Sequence, residues 1–195
     1  MEVSQYSDPW DHILISNFLP ITMFDFAQNI ARSNLDFETP KHKSMLNYNH
    51  DKNFEDWCLD LYPIFCKTLN VEIITPVKIL FQYTCYNNFD DSGRYDGGIH
   101  TDSFDKQISC LIPLSDKGSG TMLYNDKKEL AKQIEWKQNT AFIFANKPNH
   151  WHSVGLANET SRCLLNVIYM PKNYSIHHEK IYKVKRSRDH LVKNK

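Results

Sequence analysis

Two kinds of hydrophobic spacing divide the chain. From Ile21 to Arg32, and again between Asp51 and Asn70 where Trp57, Leu61, Ile64, Phe65 and Leu69 return at three- and four-residue steps, the apolar positions fall on one face of a helix. Pro63 lies inside the second segment and predicts a kink or a division there. A short strand from Ile13 to Ser16 precedes the first helix, and Ser33 to His50 reads as polar and irregular. After Glu72 the pattern becomes short and β-like. Val77 to Tyr86, Gly98 to Asp102, Gln107 to Leu114, Thr121 to Tyr124, Gln133 to Trp136, Ala141 to Ala145, His152 to Leu156 and Cys163 to Tyr169 are apolar or alternating runs separated by Asn, Asp, Gly, Ser and Pro clusters. So many short runs in succession predict a jelly roll or barrel-like sandwich, mainly β, with two helices before it. The longest irregular stretch, Asn87 to Gly97, is where a lid or substrate loop is expected.

Composition narrows the setting. A chain of 195 residues, 41% hydrophobic and 13% aromatic, can bury one good core, so the expectation is a single domain over 1–176, with a helical part at 1–72 and a β core at 73–171. The net charge is zero, yet His177 to Lys195 holds seven Lys/Arg against Glu179 and Asp189, leaving +5 on this tail and −5 on the remainder. Lys183, Lys185, Arg186 and Arg188, with Tyr182 beside them, are compatible with nucleic-acid backbones, but a solvated tail is the simpler expectation. No stretch approaches the roughly 20 apolar residues of a membrane span, and Met1 to Trp10 carries Glu2 and Asp8 where a secretory leader would be basic and apolar. A soluble cytoplasmic protein is expected. Cys58, Cys66, Cys85, Cys110 and Cys163 are odd in number and contain no Cys-x-x-Cys pair, which argues against a disulfide framework or a thiolate zinc site and for small buried hydrophobes.

The chemistry centres on His100, Thr101 and Asp102, with further histidines at 150 and 152 and Arg162 beyond them. Residues two apart on a strand share a face, so His100 and Asp102 can converge on one ion while a third ligand comes from another strand. Two imidazoles and a carboxylate form the set that holds non-haem Fe(II) on one face and leaves positions open for oxygen and a co-substrate. A lone His-x-Asp is common in a chain with nine histidines. Both His150 and His152 are eligible as the third ligand by spacing and chemistry.

Motif order makes the pattern specific. With His-Thr-Asp at 100 to 102, Ile-Ser-Cys-Leu-Ile-Pro-Leu-Ser at 108 to 115, Gly-Thr-Met-Leu-Tyr at 120 to 124, His-Ser-Val at 152 to 154 and Arg162, the chain resembles the iron(II)- and 2-oxoglutarate-dependent dioxygenase superfamily, particularly its prolyl-4-hydroxylase-like branch. The resemblance runs from about Val77 to Pro171. It implies a double-stranded β-helix (cupin-like) with the two helices packed on one sheet, and iron held by His100, Asp102 and His152. His152 is favoured over His150 by the His-Ser-Val match and by its offset from Arg162. The co-substrate would be 2-oxoglutarate, its distal carboxylate paired with Arg162, whose planar guanidinium grips a carboxylate at two points. O₂ completes the set, with ascorbate as a supporting reductant.

Departures from the pattern matter. Leu164 stands where many relatives place a serine, and the strand with Ile112 and Pro113 lacks the tyrosine of some prolyl hydroxylases, so a hydroxyl for the carboxylate must come from elsewhere. Tyr86 is the candidate, with Tyr83 on the opposite face of the same strand as its competitor; Asn166 is a further cavity-facing candidate. Asp102, rather than Ala or Gly, fills the position a halide would need, which disfavours halogenation. The resemblance implies hydroxylation of a C–H bond, on a prolyl or other peptidyl side chain or a small molecule, with release of succinate and CO₂. Phe89, Arg94 and Tyr95 in one loop, and Lys41, His42 and Lys43 in another, are the expected substrate-facing residues. The competing readings are a cupin-like protein with a non-catalytic metal site, and a metal hydrolase, in which Arg162 would have no task.

Overall fold

A computed structural model describes residues 2–37, 43–86, 98–103, 105–154 and 162–172, with only the backbone of Lys43 included. The loop at 87–97 with Phe89, Arg94 and Tyr95, the residues Lys41 and His42, the end of the strand expected to run to Leu156, and the basic tail at 177–195 lie outside the described residues.

The elements run in the order β1 (Glu2–Tyr6), β2 (His12–Ser16), α1 (Ile21–Asn34), β3 (Lys43–Tyr48), α2 (Lys52–Thr68), β4 (Val77–Tyr86), β5 (Ile108–Pro113), β6 (Thr121–Tyr124), β7 (Leu130–Gln133), β8 (Thr140–Ala145), β9 (His152–Val154) and β10 (Arg162–Pro171). Seven strands form one antiparallel sheet in the order β1-β2-β8-β5-β10-β4-β3, and β7-β6-β9 form a second, smaller one. This is the mainly β architecture with two helices that the spacing predicts.

Alternation along the strands sends side chains to two different cores. Ile13, Ile143, Cys110, Leu165 and Tyr83 belong to the larger cluster, which they share with Phe24 and Ala27 of α1 and with Phe54, Tyr62 and Phe65 of α2. The other face of the same sheet contributes Phe142 and Phe144, which join Trp10, Leu123 and Ile134 in a smaller cluster toward the second sheet. Helix α2 is capped by Asp51, whose carboxylate accepts from the Phe54 amide at 3.0 Å. Pro63 does not divide it: buried residues before it, Phe54, Cys58 and Tyr62, and after it, Phe65 and Cys66, lie on one packed face that carries the helix through the missing hydrogen bond. All five cysteines are buried thiols.

Three expectations need correction. The part at 1–72 is not simply helical, because β1, β2 and β3 belong to the large sheet; β1 and β3 are its edge strands and, with solvent on one side, carry a polar pattern that conceals them. The run expected at Gln133 to Trp136 lies earlier, at Leu130–Gln133. Gly98 to Asp102 is not a strand: His100 alone is paired, exchanging backbone hydrogen bonds with His152. Among the described residues no helix is long and apolar enough to cross a membrane.

Candidate metal centre and anion pocket

The two backbone hydrogen bonds between His100 and His152, at 3.0 and 2.9 Å, bring the segment after Gly98 against β9 and set the imidazole centroids 4.5 Å apart. Each ring is then oriented by its own chain. His100 Nδ1 lies 3.0 Å from the Gly98 carbonyl and His152 Nδ1 lies 2.9 Å from the His150 carbonyl. A carbonyl only accepts, so both Nδ1 atoms donate, and Nε2 is the atom that a neutral ring turns toward a ligand. Asp102 completes the group: one donor atom from each of His100, Asp102 and His152 lies within 4.8 Å of the others. Convergence therefore does not require the strand expected at 98–102; a single bridge and a bend suffice.

The carboxylate is held at both oxygens. Ser109 Oγ donates to Asp102 Oδ2 at 3.0 Å, Asn146 Nδ2 donates to Ser109 Oγ at 3.2 Å, and Lys106 Nζ lies 3.3 Å from Asp102 Oδ1. Burial by itself would raise the carboxyl, but the Lys106 ammonium, the two imidazoles and the Ser109 hydroxyl hold it below its ordinary value. Burial lowers His152 to about 4, with Asp102 opposing only in part. The group is thus a carboxylate beside a neutral imidazole, the state in which both can ligate. Its nitrogen and oxygen donors fit a ferrous ion.

His150 is elsewhere. Its ring stacks on Trp10 with centroids 4.6 Å apart, and its Nδ1 meets the Ala145 carbonyl at 2.7 Å. It has a packing task beside β8, and the residue brought to His100 and Asp102 is His152.

Arg162 begins β10 on the inner face of the large sheet, 3% exposed. Its Nε and Nη1 have no hydrogen-bond partner among the described residues. Burial lowers it to about 10, far above neutrality, so it remains a cation. The guanidinium carbon stands 5.1 Å from the Trp136 ring and 6.0 Å from the Tyr86 ring. Trp136 reaches this position because Gly118 has no Cβ, which would come within 2.6 Å of the indole, and because its Nε1 donates to the Ser115 carbonyl. The cavity beside Arg162 is lined by Leu111, Pro113, Gly120, Thr121, Ile134, Glu135, Trp136, Thr140, Phe142 and Leu164. Phe142 stacks on Phe144, whose ring meets His152 at 5.1 Å, so the guanidinium and the imidazoles belong to the same interior.

A buried guanidinium whose Nε and Nη1 meet no acceptor among the described residues is costly to leave so and suits an anion that arrives from outside. Tyr86 sits directly across the ladder from Arg162, but it does not line the cavity. Tyr83 faces the helices, where its hydroxyl meets His50 Nε2 at 2.7 Å, and is removed from the pocket. Asn166, 9% exposed, shares the inner face, and its Oδ1 has no partner among the described residues. Ser109, Lys106, Trp136 and Thr140 are the residues that motif reading passed over. A serine inside the otherwise apolar Ile-Ser-Cys-Leu-Ile run was the available signal for the first of them.

No family model matches the sequence, and no curated protein matches it. Solved structures do match. A prolyl-4-hydroxylase from Pseudomonas putida superposes with a TM-score of 0.59 at 13% identity, covering 83% of this chain and 93% of its own. The viral collagen prolyl hydroxylase of Paramecium Bursaria Chlorella virus-1, in its 2OG complex, gives 0.57 at 13%, covering 85% and 98%. A prolyl hydroxylase from Trichoplax adhaerens, in complex with a hypoxia inducible factor oxygen degradation domain peptide fragment, gives 0.56 at 16%, covering 83% and 84%. The resemblance carried by the motifs is thus matched in three dimensions, and the chain has the jelly-roll fold of the prolyl-4-hydroxylases and 2OG-Fe(II) oxygenases.

Proposed function

We propose that this protein is an Fe(II)- and 2-oxoglutarate-dependent oxygenase that hydroxylates a C–H bond, with His100, Asp102 and His152 as the iron ligands and Arg162 as the anchor of the co-substrate's distal carboxylate. The observation that carries this reading is the meeting of three donor atoms within 4.8 Å in an oxygenase fold. Iron and the keto acid, when bound, supply the oxidative chemistry that releases succinate and CO₂. The protein supplies orientation. Carbonyls at Gly98 and His150 fix the imidazole tautomers, and Ser109 and Lys106 hold the carboxylate. Trp136 and the apolar wall around Arg162 keep water from the guanidinium, which strengthens its hold on an anion. A peptidyl substrate, prolyl among the options, is favoured because one neighbour of this fold is in complex with a peptide fragment. Five buried thiols suit a reducing, cytoplasmic setting.

The test supplies metal-free protein with Fe(II), 2-oxoglutarate and ascorbate and measures succinate, with and without candidate peptides. We expect iron-dependent release, a weak charge-transfer absorption under anaerobic conditions, and loss of both in Asp102→Ala. Arg162→Ala should weaken 2-oxoglutarate while sparing the metal. A protein that neither binds 2-oxoglutarate in the presence of iron nor turns over would refute the assignment.

A further inference from the structure

Register across the large sheet sets two thiols opposite each other. Cys163 of β10 is the ladder partner of Cys85 of β4, one rung from the Arg162–Tyr86 pair, and both thiols belong to the helix-side core. Opposite residues of an antiparallel ladder have Cα atoms about 4.5–5.5 Å apart, inside the span of about 4.4–6.8 Å that a disulfide bridges. The sulfurs are hydrogen-bonded. The Cys163 thiol donates to the Cys85 sulfur, which holds Cys85 below its ordinary value against the burial that would raise it, and raises Cys163.

A cavity of about 300 Å³ ends on this pair, away from the Arg162 pocket. Its lining includes Cys163, Gln28 and Arg32 of α1, and Ser115, Asp116 and Gln138. Arg32, Asp116 and Gln138 are exposed and mark its mouth, while Cys163, 2% exposed, is its floor. The walls are braced: Gln28 Nε2 and Gln138 Nε2 both donate to the Leu114 carbonyl, at 2.6 and 2.9 Å. Cys163 is braced as well. Its amide donates to Ser115 Oγ at 3.1 Å, and its carbonyl accepts from the Leu114 and Ser115 amides at 2.8 and 3.3 Å. The Arg32 guanidinium favours negative charge on its sulfur. Cys58, Cys66 and Cys110 do not line this cavity. A thiol that a small reagent can reach, beside a cation and a second thiol placed to resolve it, is the arrangement that oxidises reversibly.

We propose that Cys163 and Cys85 form an oxidisable dithiol, that its reagent is a small hydroperoxide entering through this cavity, and that its product is a disulfide joining β10 to β4. The pair releases one proton to solvent and keeps the other on Cys85, which leaves the negative charge on Cys163 beside Arg32. The Cys163 sulfur attacks a peroxide oxygen, the O–O bond breaks, and the departing oxygen takes a proton from solvent. Cys163 is then a sulfenic acid. The Cys85 sulfur attacks it, the S–S bond forms as the S–O bond breaks, and the hydroxyl leaves with the Cys85 proton as water. Two thiols lose two electrons, and one hydrogen peroxide becomes two waters. In a reducing compartment such a bridge is transient, formed under peroxide and reopened by thiol exchange.

The test treats the full chain with hydrogen peroxide after a chelator has removed metal, so that no iron-borne oxidant competes. We expect titratable thiols, counted in denaturant, to fall from five to three, a non-reduced peptide joining Cys85 to Cys163, and recovery of both thiols with dithiothreitol. Cys85→Ser should stop at a sulfenic acid on Cys163, trapped by dimedone. Arg32→Gln should slow bridge formation about threefold by lowering the thiolate fraction. The wild-type peptide map decides the matter even if a cysteine variant folds poorly. The proposal is overturned if peroxide leaves all five thiols, joins a different pair, or joins these two only in urea, where the cavity no longer exists. An Arg32→Gln protein that oxidises at the wild-type rate overturns the route past that cation.

Discussion

The two faces of the seven-stranded sheet have the same backbone and opposite chemistry. On the helix side, Leu165, Val167 and Tyr169 of β10 pack with α1 and α2, and the one polar tip among them is met: the Tyr169 hydroxyl donates to the Cys58 carbonyl at 2.9 Å. On the inner side, one residue over, the same strand presents Arg162 and Leu164 to a cavity, and Arg162 Nε and Nη1, like Asn166 Oδ1, have no hydrogen-bond partner among the described residues. A strand's two-residue period therefore separates stability from binding within ten residues.

The largest effect should come from the helix face. Leu165→Ala removes a fully buried side chain from the larger core and should cost about 3 kcal/mol in a urea titration, with ligand affinity unchanged apart from the lower fraction folded. If the loss were small, the helix face would not be the stabilising one. On the inner face the sign should reverse. Arg162→Met replaces a buried cation that has no ion-pair partner among the described residues with an apolar chain and should raise ligand-free stability by about 1–2 kcal/mol while abolishing 2-oxoglutarate binding. A destabilised Arg162→Met would mean that the guanidinium is structurally paired and would erase the contrast.

The smallest effect concerns His50, the titratable group at the helix-side core. It is stacked on Phe54 at 4.0 Å, and burial lowers it from 6.5 to about 4. Since the unfolded chain takes up the proton first, its contribution is complete above pH 6.5 and is lost as the pH falls toward 4. Discounted for partial exposure, we expect about 1 kcal/mol across that window. The part of the stability slope between pH 7 and 4.5 that disappears in His50→Gln measures it, and an unchanged slope would assign the pH response to other groups.

Legibility in the sequence followed the strength of the local pattern. Val77–Tyr86 and Thr121–Tyr124 match the expected runs end for end, because each is a β-rich stretch bounded by turn residues. Lys43–Tyr48 was concealed because its outward positions face solvent at the sheet edge and its alternation is weak. His-x-Asp, the later histidine and the arginine were readable as types and spacing. What placed them was not: His100 owes its position to a single backbone bridge, and His150 was diverted by an aromatic surface, Trp10, far away in sequence. Trp136 carries no motif at all; its place beside the guanidinium comes from a cavity that exists only once β8 and β10 flank β5.

The bridge at His100 has a mechanical consequence. His152 belongs to the small sheet, while Asp102 is tied through Ser109 to the large one. An ion gripped by both would rivet the two walls of the roll at its rim, so that loading the metal and stiffening the mouth become one event, and stripping it with a chelator would open the rim to proteases first.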